Sequence, residues 1–268
     1  MKYRELYILI SHSNPVVKIL SKSLSMMCNI KHINEILFKA AKTIVAETGR
    51  FRVGTRPIGN RKKLQDFAYD EAYKASERIR IVTGKYAETA AKLLGIDATE
   101  DMLLKKIAGK DFQIRNSSYC RRFAEDIVKM IVAAAKLGYT QEKMLSAIRT
   151  GYKTPFNASV ITKAAKKDIT TEIPSYGRGI YQSAYQNIAR NSRVIIALTY
   201  GNALKAYGKK KKAVGFKVKR GSSYLCAICD EEASYIHTMK DPLPPYHINC
   251  CCYVEFIYSK KKMKDGRI

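Results

Sequence analysis

The chain has 268 residues, 46% of them hydrophobic, which is enough for one large domain or two smaller ones with real cores. Its 49 lysines and arginines stand against 23 aspartates and glutamates, and the resulting charge of +26 exceeds what solubility requires and points to a polyanionic neighbour. No apolar run approaches the roughly 20 residues of a membrane-spanning helix, and LYILI near the start is too short for a signal-peptide core, so the expectation is a soluble chain without a membrane partner, its cysteines in a reducing compartment.

Residues 1–60 show no sustained period, because Pro15, Gly54, Pro57 and Gly59 interrupt it, and they are expected to form an N-terminal arm. A helical body is predicted over 61–184. Apolar residues recur there at three- and four-residue steps, as in Ala68, Ala72, Ala75, Ile79 and Val82, and again in Phe123, Ile127, Met130, Ala134 and Leu137. Gly84, Gly95, Gly109, Gly138 and Gly151 each follow such a run, where a left-handed cap favours glycine, and Thr99 and Thr140 are candidates to start the next helix. Short links make the helices antiparallel neighbours. After Pro174 a second long helical pattern begins, with Tyr181 and Tyr185 on one face as packing residues.

From Ile173 to Cys229 there is no acidic residue, while Arg178, Arg190, Arg193, Lys205, Lys209, Lys210, Lys211, Lys212, Lys217, Lys219 and Arg220 all fall inside. Within that segment AVGFKVKR changes period: Val214, Phe216 and Val218 alternate with Gly215, Lys217 and Lys219, as in a half-buried strand. CYVEFIYS near the end alternates in the same way. Strands near 213–219 and 252–258 therefore bracket a loop rich in cysteine and proline, giving an α+β chain, mainly α, with a short antiparallel sheet at its C-terminal end. Lys209, Lys210, Lys211, Lys212, Lys217, Lys219 and Arg220 are the candidate phosphate contacts for non-specific DNA binding, with Tyr200, Tyr207 and Phe216 near enough in sequence to stack on bases. A solvated basic face is the plainer reading of the same residues.

The stretch between the strands, CAICDEEASYIHTMKDPLPPYHINCCCY, holds five of the chain's seven cysteines and two of its four histidines. Cys226 and Cys229 have the spacing with which two thiolates grip one ion in a tight turn, and His247 and Cys250 repeat it after 17 intervening residues. Cys226, Cys229, His247 and Cys250 are thus the candidate ligands of a structural zinc ion. Cys252 shares a strand face with Cys250 and could replace Cys250 or His247. Pro242, Pro244 and Pro245 stiffen the closing loop. A disulfide knot or plain burial of small apolar thiols remains an alternative. Catalysis would need an open position and a base: Glu231 and Glu232 are nominally at hand, but four ligands close the site, and a zinc-dependent nuclease lacks a second histidine paired with an acid. His237 is expected in a loop, and His12 and His32 are isolated.

The order IARNSR, ALTYGNALKAYG, GFKVKR, SSYLCAIC, PLPPYHINCCC and a closing strand resembles the C-terminal domain of phage Mu F-like minor head proteins, also called phage head morphogenesis proteins. The likeness is carried most by Cys226-x-x-Cys229 followed by Pro244-Pro245-x-His247-x-x-Cys250-x-Cys252, and it covers roughly residues 185 to 258. The chain departs from that pattern at Ile248 and Cys251, where the family commonly has proline and arginine, and it lacks the glycine after the first cysteine pair. The resemblance implies a C-terminal domain over 185–268 with a metal cluster and a basic tail. It also implies a low-copy structural protein of a tailed-phage head rather than an enzyme, with portal and capsid proteins as partners. Such a protein is found in the virion, and in the host cytoplasm during assembly, and in some relatives it is delivered with the genome. A nucleic-acid-binding zinc module is the alternative function.

Overall fold

A computed structural model of the chain describes residues 31–48, 57–92, 94–97, 101–106, 109–155, 158–167, 183–221, 225–247, 250 and 252–258. Over these residues it forms α1 (Lys31–Ala46), α2 (Pro57–Lys92), α3 (Phe112–Lys136), α4 (Gln141–Gly151), α5 (Ser159–Lys166), α6 (Ala184–Lys210), β1 (Gly215–Lys219), α7 (Ala227–Ser234), β2 (Ile236–Thr238) and β3 (Tyr253–Ile257). The fold class is the expected one: mainly helical, with a short antiparallel sheet and a cluster of cysteines and histidine toward the C-terminus. Thr99, Tyr181, Cys251, residues 1–30 and the basic tail 259–268 lie outside the described residues.

The compact units are not consecutive in sequence. Residues 31–82 group with 106–191, and Thr83–Lys105 groups with the described residues from Ser192 onward. This differs from a division at 60/61 and 184/185 for two physical reasons. Within the expected arm, α1 is a regular amphipathic helix that buries Ile33, Leu37, Ala40, Ala41, Ile44 and Val45, since the interrupting prolines and glycines all lie outside it. And Gly84 does not end a helix, because α2 runs through it to Lys92, so the last turns of α2 belong with the C-terminal unit. The left-handed glycines are Gly95, Gly109 and Gly138, where φ is +64°, +76° and +70°.

In the first unit α3 starts at Asp111, whose carboxylate accepts from the Ile114 amide at 2.8 Å, and α4 starts at Thr140, whose hydroxyl accepts from the Lys143 amide at 3.4 Å. Leu64, Ala68, Ala72, Ala75 and Ile79 of α2 are buried, as are Phe123, Ile127, Met130 and Ala134 of α3, so the sequence period marks the core faces. Tyr152 sits among Phe38, Phe123 and Tyr185, with ring centroids at 6.2, 6.2 and 5.4 Å, which makes Tyr185 a packing residue. Asn116 is buried and donates through Nδ2 to the Ser76 carbonyl at 2.9 Å and to its hydroxyl at 3.0 Å.

In the second unit the strand order is β2-β1-β3, all antiparallel, with Phe216 opposite His237 on one side and opposite Phe256 on the other. The core joins Ala90, Ala91 and Leu94 from the end of α2, Ile196, Tyr200, Ala203 and Leu204 from α6, and Phe216, Val218 and Val254 from the sheet. Thr83 and Ser192 share a buried hydroxyl hydrogen bond of 3.0 Å. Predicted strands at 213–219 and 252–258 thus match β1 and β3 within a residue or two, whereas β2 and α7 were not foreseen.

One buried charge in the first unit has a measurable consequence. Asp126 is 3% exposed, its Oδ2 has no hydrogen-bond partner, and burial raises its pKa from 3.8 to about 7 against the opposing pull of Lys129 and Arg122. A carboxyl whose folded-state pKa is raised stabilises fully below the unfolded value, and that contribution is lost as pH climbs from about 4 to about 7. Asp126→Asn should therefore raise stability at pH 8 by on the order of 1–2 kcal/mol and change it little at pH 4, as read by urea unfolding at both pH values. A variant destabilised at pH 8 would show that the carboxylate has a partner worth more than its desolvation.

Candidate metal centre

Three backbone segments converge on the cysteines. Cys226 occupies the N-cap position of α7 with extended backbone, φ −152° and ψ 103°, and its carbonyl accepts from the Asp230 amide at 2.9 Å. That turn brings Cys229, one helical turn on, to the same side, where it is buried. His247 comes from the proline loop, and its carbonyl accepts from the Cys250 amide at 3.1 Å, which turns the chain so that Cys250 follows back into the cluster. Cys252 sits immediately before β3 and packs against the core of the unit.

The loop is positioned from α6. A Cβ at Gly201 would lie 2.6 Å from the Pro244 carbonyl oxygen, so only glycine lets helix and loop approach this closely. Lys205, one turn on, donates from Nζ to the carbonyls of Lys240 at 2.9 Å and Asp241 at 2.8 Å. Thr238 closes the other end, donating to the Asp241 carboxylate through its amide at 2.7 Å and its hydroxyl at 3.0 Å.

His247 Nε2 stands 3.3 Å from Cys226 Sγ and 2.9 Å from Cys229 Sγ, and Cys229 Sγ is 3.8 Å from Cys250 Sγ. Tetrahedral geometry with metal–sulfur bonds of about 2.3 Å and metal–nitrogen bonds of about 2.0–2.1 Å has edges of about 3.8 Å between sulfurs and about 3.6 Å between sulfur and nitrogen. The Cys229–Cys250 separation matches the sulfur–sulfur edge, whereas both cysteine–histidine separations are shorter than the sulfur–nitrogen edge. Two groups are close enough to hold an ion: Cys226, Cys229 and His247, and Cys229, Cys250 and Cys252, with Cys229 common to both. The four ligands expected from sequence divide between these groups, Cys226, Cys229 and His247 in one and Cys229 and Cys250 in the other, where Cys252 joins them. None of the described cysteines is in a disulfide.

The thiols share their protons unevenly. Hydrogen bonds to Cys250 from the Cys252 thiol and from backbone amides lower its pKa to about 5, whereas burial raises that of Cys229 to about 12. Cys252, donating to Cys250 and buried beside it, is shifted upward. Of these thiols Cys250 is the one held toward its thiolate, and a cation is the ordinary way to draw protons off such a cluster.

His237 is not the loop residue expected. It lies in β2, is 1% exposed, stacks on Phe216 at 4.7 Å and 4°, and donates from Nε2 to the Glu232 carbonyl at 2.7 Å. The Glu232 carboxylate is 3.6 Å from the same nitrogen. Asp230 pairs with Arg220.

The basic candidates divide. Lys209 and Lys210 end α6 and Lys211 and Lys212 form the exposed turn after it, with Lys212 held at φ 61°. Lys217 is half-exposed on β1. Lys219 pairs with Glu255 at 3.4 Å and Arg220 with Asp230, so two of the seven meet acids that lie beyond the acid-free segment in sequence. Phe216 and Tyr200 are buried, which removes both as stacking residues.

Sequence reasoning missed Gly201 and Lys205 as loop supports. A glycine one turn before a lysine in an otherwise apolar helix was the available signal, but nothing local says what approaches it. No family model matches the chain, and neither a curated protein nor a solved structure matches it.

The shared position of Cys229 makes a prediction. Cys229→Ala should abolish metal retention against a chromophoric chelator, because both donor groups lose a member, while Cys252→Ala spares the group of Cys226, Cys229 and His247 and retains measurable binding. Equal losses from Cys229→Ala and Cys252→Ala would contradict this arrangement.

Proposed function

We propose that Cys226, Cys229, His247 and Cys250 bind one zinc ion whose role is structural, and that the chain is a minor head protein of a tailed phage that uses this metal-stapled unit in head assembly. The observation that carries the zinc reading is the overlap of two groups of close thiol and imidazole donors that share Cys229, contributed by α7, the proline loop and the segment entering β3. An ion there joins segments that the sheet hydrogen bonds do not join. Cys252 supports the set from outside it, as the hydrogen-bond partner of Cys250. A closed site is favoured over a reactive one because Asp230 is engaged with Arg220 and four donors would leave no position for a substrate.

The phage assignment rests on the motif Cys226-x-x-Cys229 with Pro244-Pro245-x-His247-x-x-Cys250-x-Cys252 and on the order of helix, strand and closing strand around it. Mass spectrometry of gradient-purified particles from cells carrying the gene tests it. The chain should be found in heads at a copy number far below that of the major capsid protein, and it should co-purify with the portal protein. Its absence from particles, or its abundance as a lattice subunit, would contradict the assignment.

A second reading, contact with DNA through summed charge, is favoured by the exposed turn Lys209–Lys212 and by Lys217. Binding of this kind releases counterions, so the logarithm of duplex affinity should fall against the logarithm of salt with a slope of about −0.9 for each phosphate neutralised. Changing Lys209, Lys210, Lys211 and Lys212 together to Ala should flatten that slope by a few units at most and weaken all sequences alike. Affinity that ignores salt would point instead to an acidic protein partner.

A further inference from the structure

The end of α6 and the end of β3 meet at one place on the surface of the C-terminal unit. Val214 donates from its amide to the Ile257 carbonyl at 2.8 Å, and Ala213 donates to the Gly208 carbonyl at 2.9 Å, so the lysine turn is pinned beside the last residues of β3. Gly208 permits it: the Phe256 ring occupies the space where a Cβ would stand. Two tyrosines frame the turn. Tyr258, which follows β3, is 56% exposed, with its ring 6.5 Å from that of Phe256. Tyr207, one turn before the end of α6, is half-buried and carries the Lys211 ammonium 5.9 Å from its ring centroid. The Tyr258 hydroxyl titrates above its ordinary value, through burial first and then through Tyr207 close by. No acidic partner is found for Lys209, Lys210, Lys211 or Lys212 among the ion pairs of the described residues, in contrast to Lys219 and Arg220.

We propose that Tyr207, Tyr258 and the Lys209–Lys212 turn form a binding surface for single-stranded nucleic acid, the exposed Tyr258 ring stacking on a base while the lysines hold the phosphates on either side. The proposal rests on the reading of this turn as a phosphate-contacting surface and is independent of the zinc reading. A duplex keeps its bases stacked on one another and offers the turn only phosphates, so the aromatic ring adds nothing there. A single strand has bases free to stack, and an exposed aromatic ring among unpaired lysines is complementary to both parts of it. Two of the three aromatic residues expected near the basic strand, Tyr200 and Phe216, are core residues. Tyr258 takes their place because the sheet register carries it to the turn.

The test uses the full chain and fluorescence anisotropy with three labelled probes: an oligothymidylate, an abasic strand of the same length, and a duplex. Oligothymidylate should bind more tightly than the abasic strand. Tyr258→Ala should weaken oligothymidylate binding by about 5- to 150-fold, the equivalent of one lost base stack, while changing the abasic strand and duplex by less than about twofold. Tyr258→Phe, which keeps the ring, should bind as the parent does, and both variants should keep the parent's circular dichroism. Equal affinity for the oligothymidylate and the abasic strand, or a Tyr258→Ala loss of the same size on all three probes, would overturn the stacking surface even if the salt slope on duplex remains. Absence of any salt slope would remove the underlying phosphate contact instead. Binding to anionic vesicles that depends on Tyr258, without binding to oligothymidylate, would show a lipid-facing patch and would also overturn the proposal.

Discussion

The C-terminal unit depends on holding α7 to the proline loop and the entry to β3, segments to which no backbone hydrogen bond joins it among the described residues. Its sheet has strands of five, three and five residues, close to the lower limit at which a sheet with one apolar face is stable. β1 is hydrogen-bonded on both edges, but α7 touches the sheet through few apolar residues, chiefly the half-buried Ala233. Cys229 lies where the three segments meet and belongs to both donor groups. An ion at this point would add a cross-link between these segments, and structural zinc is worth on the order of 10 kcal/mol or more in zinc-finger peptides.

α6 sets the geometry that makes the cross-link possible. Its inner face packs Ile196, Tyr200, Ala203 and Leu204 against the sheet, while Gly201 admits the Pro244 carbonyl and Lys205 reaches the carbonyls of Lys240 and Asp241. The same helix then ends in the lysine turn, which its last turn and the Ile257 carbonyl fix in place. One element therefore both positions the loop that carries His247 and displays, at its far end, lysines for which no acidic partner is found among the described residues.

Much of this was legible in the sequence where the signal is local. Alternation over 213–219 and 252–258 gave two strands because each buries one face, and the spacing Cys-x-x-Cys put Cys226 and Cys229 in one donor group because a turn of that length converges side chains whatever surrounds it. What depended on distant neighbours was not legible. β2 is three residues long and exists through pairing with β1, so no period announces it. Gly84 reads as a terminator and is an ordinary helical residue, because the helix it sits in is secured by packing beyond it. Phe216 reads both as an apolar-face residue, by its alternation with Val214 and Val218, and as a stacking residue beside the lysines, and its burial decides for the first. The acid-free stretch from Ile173 to Cys229 suggested uncompensated charge, yet Asp230 and Glu255, just outside it, neutralise Arg220 and Lys219.

The central claim is that a closed, thiolate-rich site holds the C-terminal unit together. Zinc K-edge X-ray absorption on protein purified in reducing buffer, combined with elemental analysis, tests it most directly. The account predicts close to one zinc per chain, with a first shell of three sulfurs at about 2.3 Å and one nitrogen at about 2.0–2.1 Å. A shell dominated by oxygen and nitrogen, or a fully folded chain that retains no metal under reducing conditions, would contradict it.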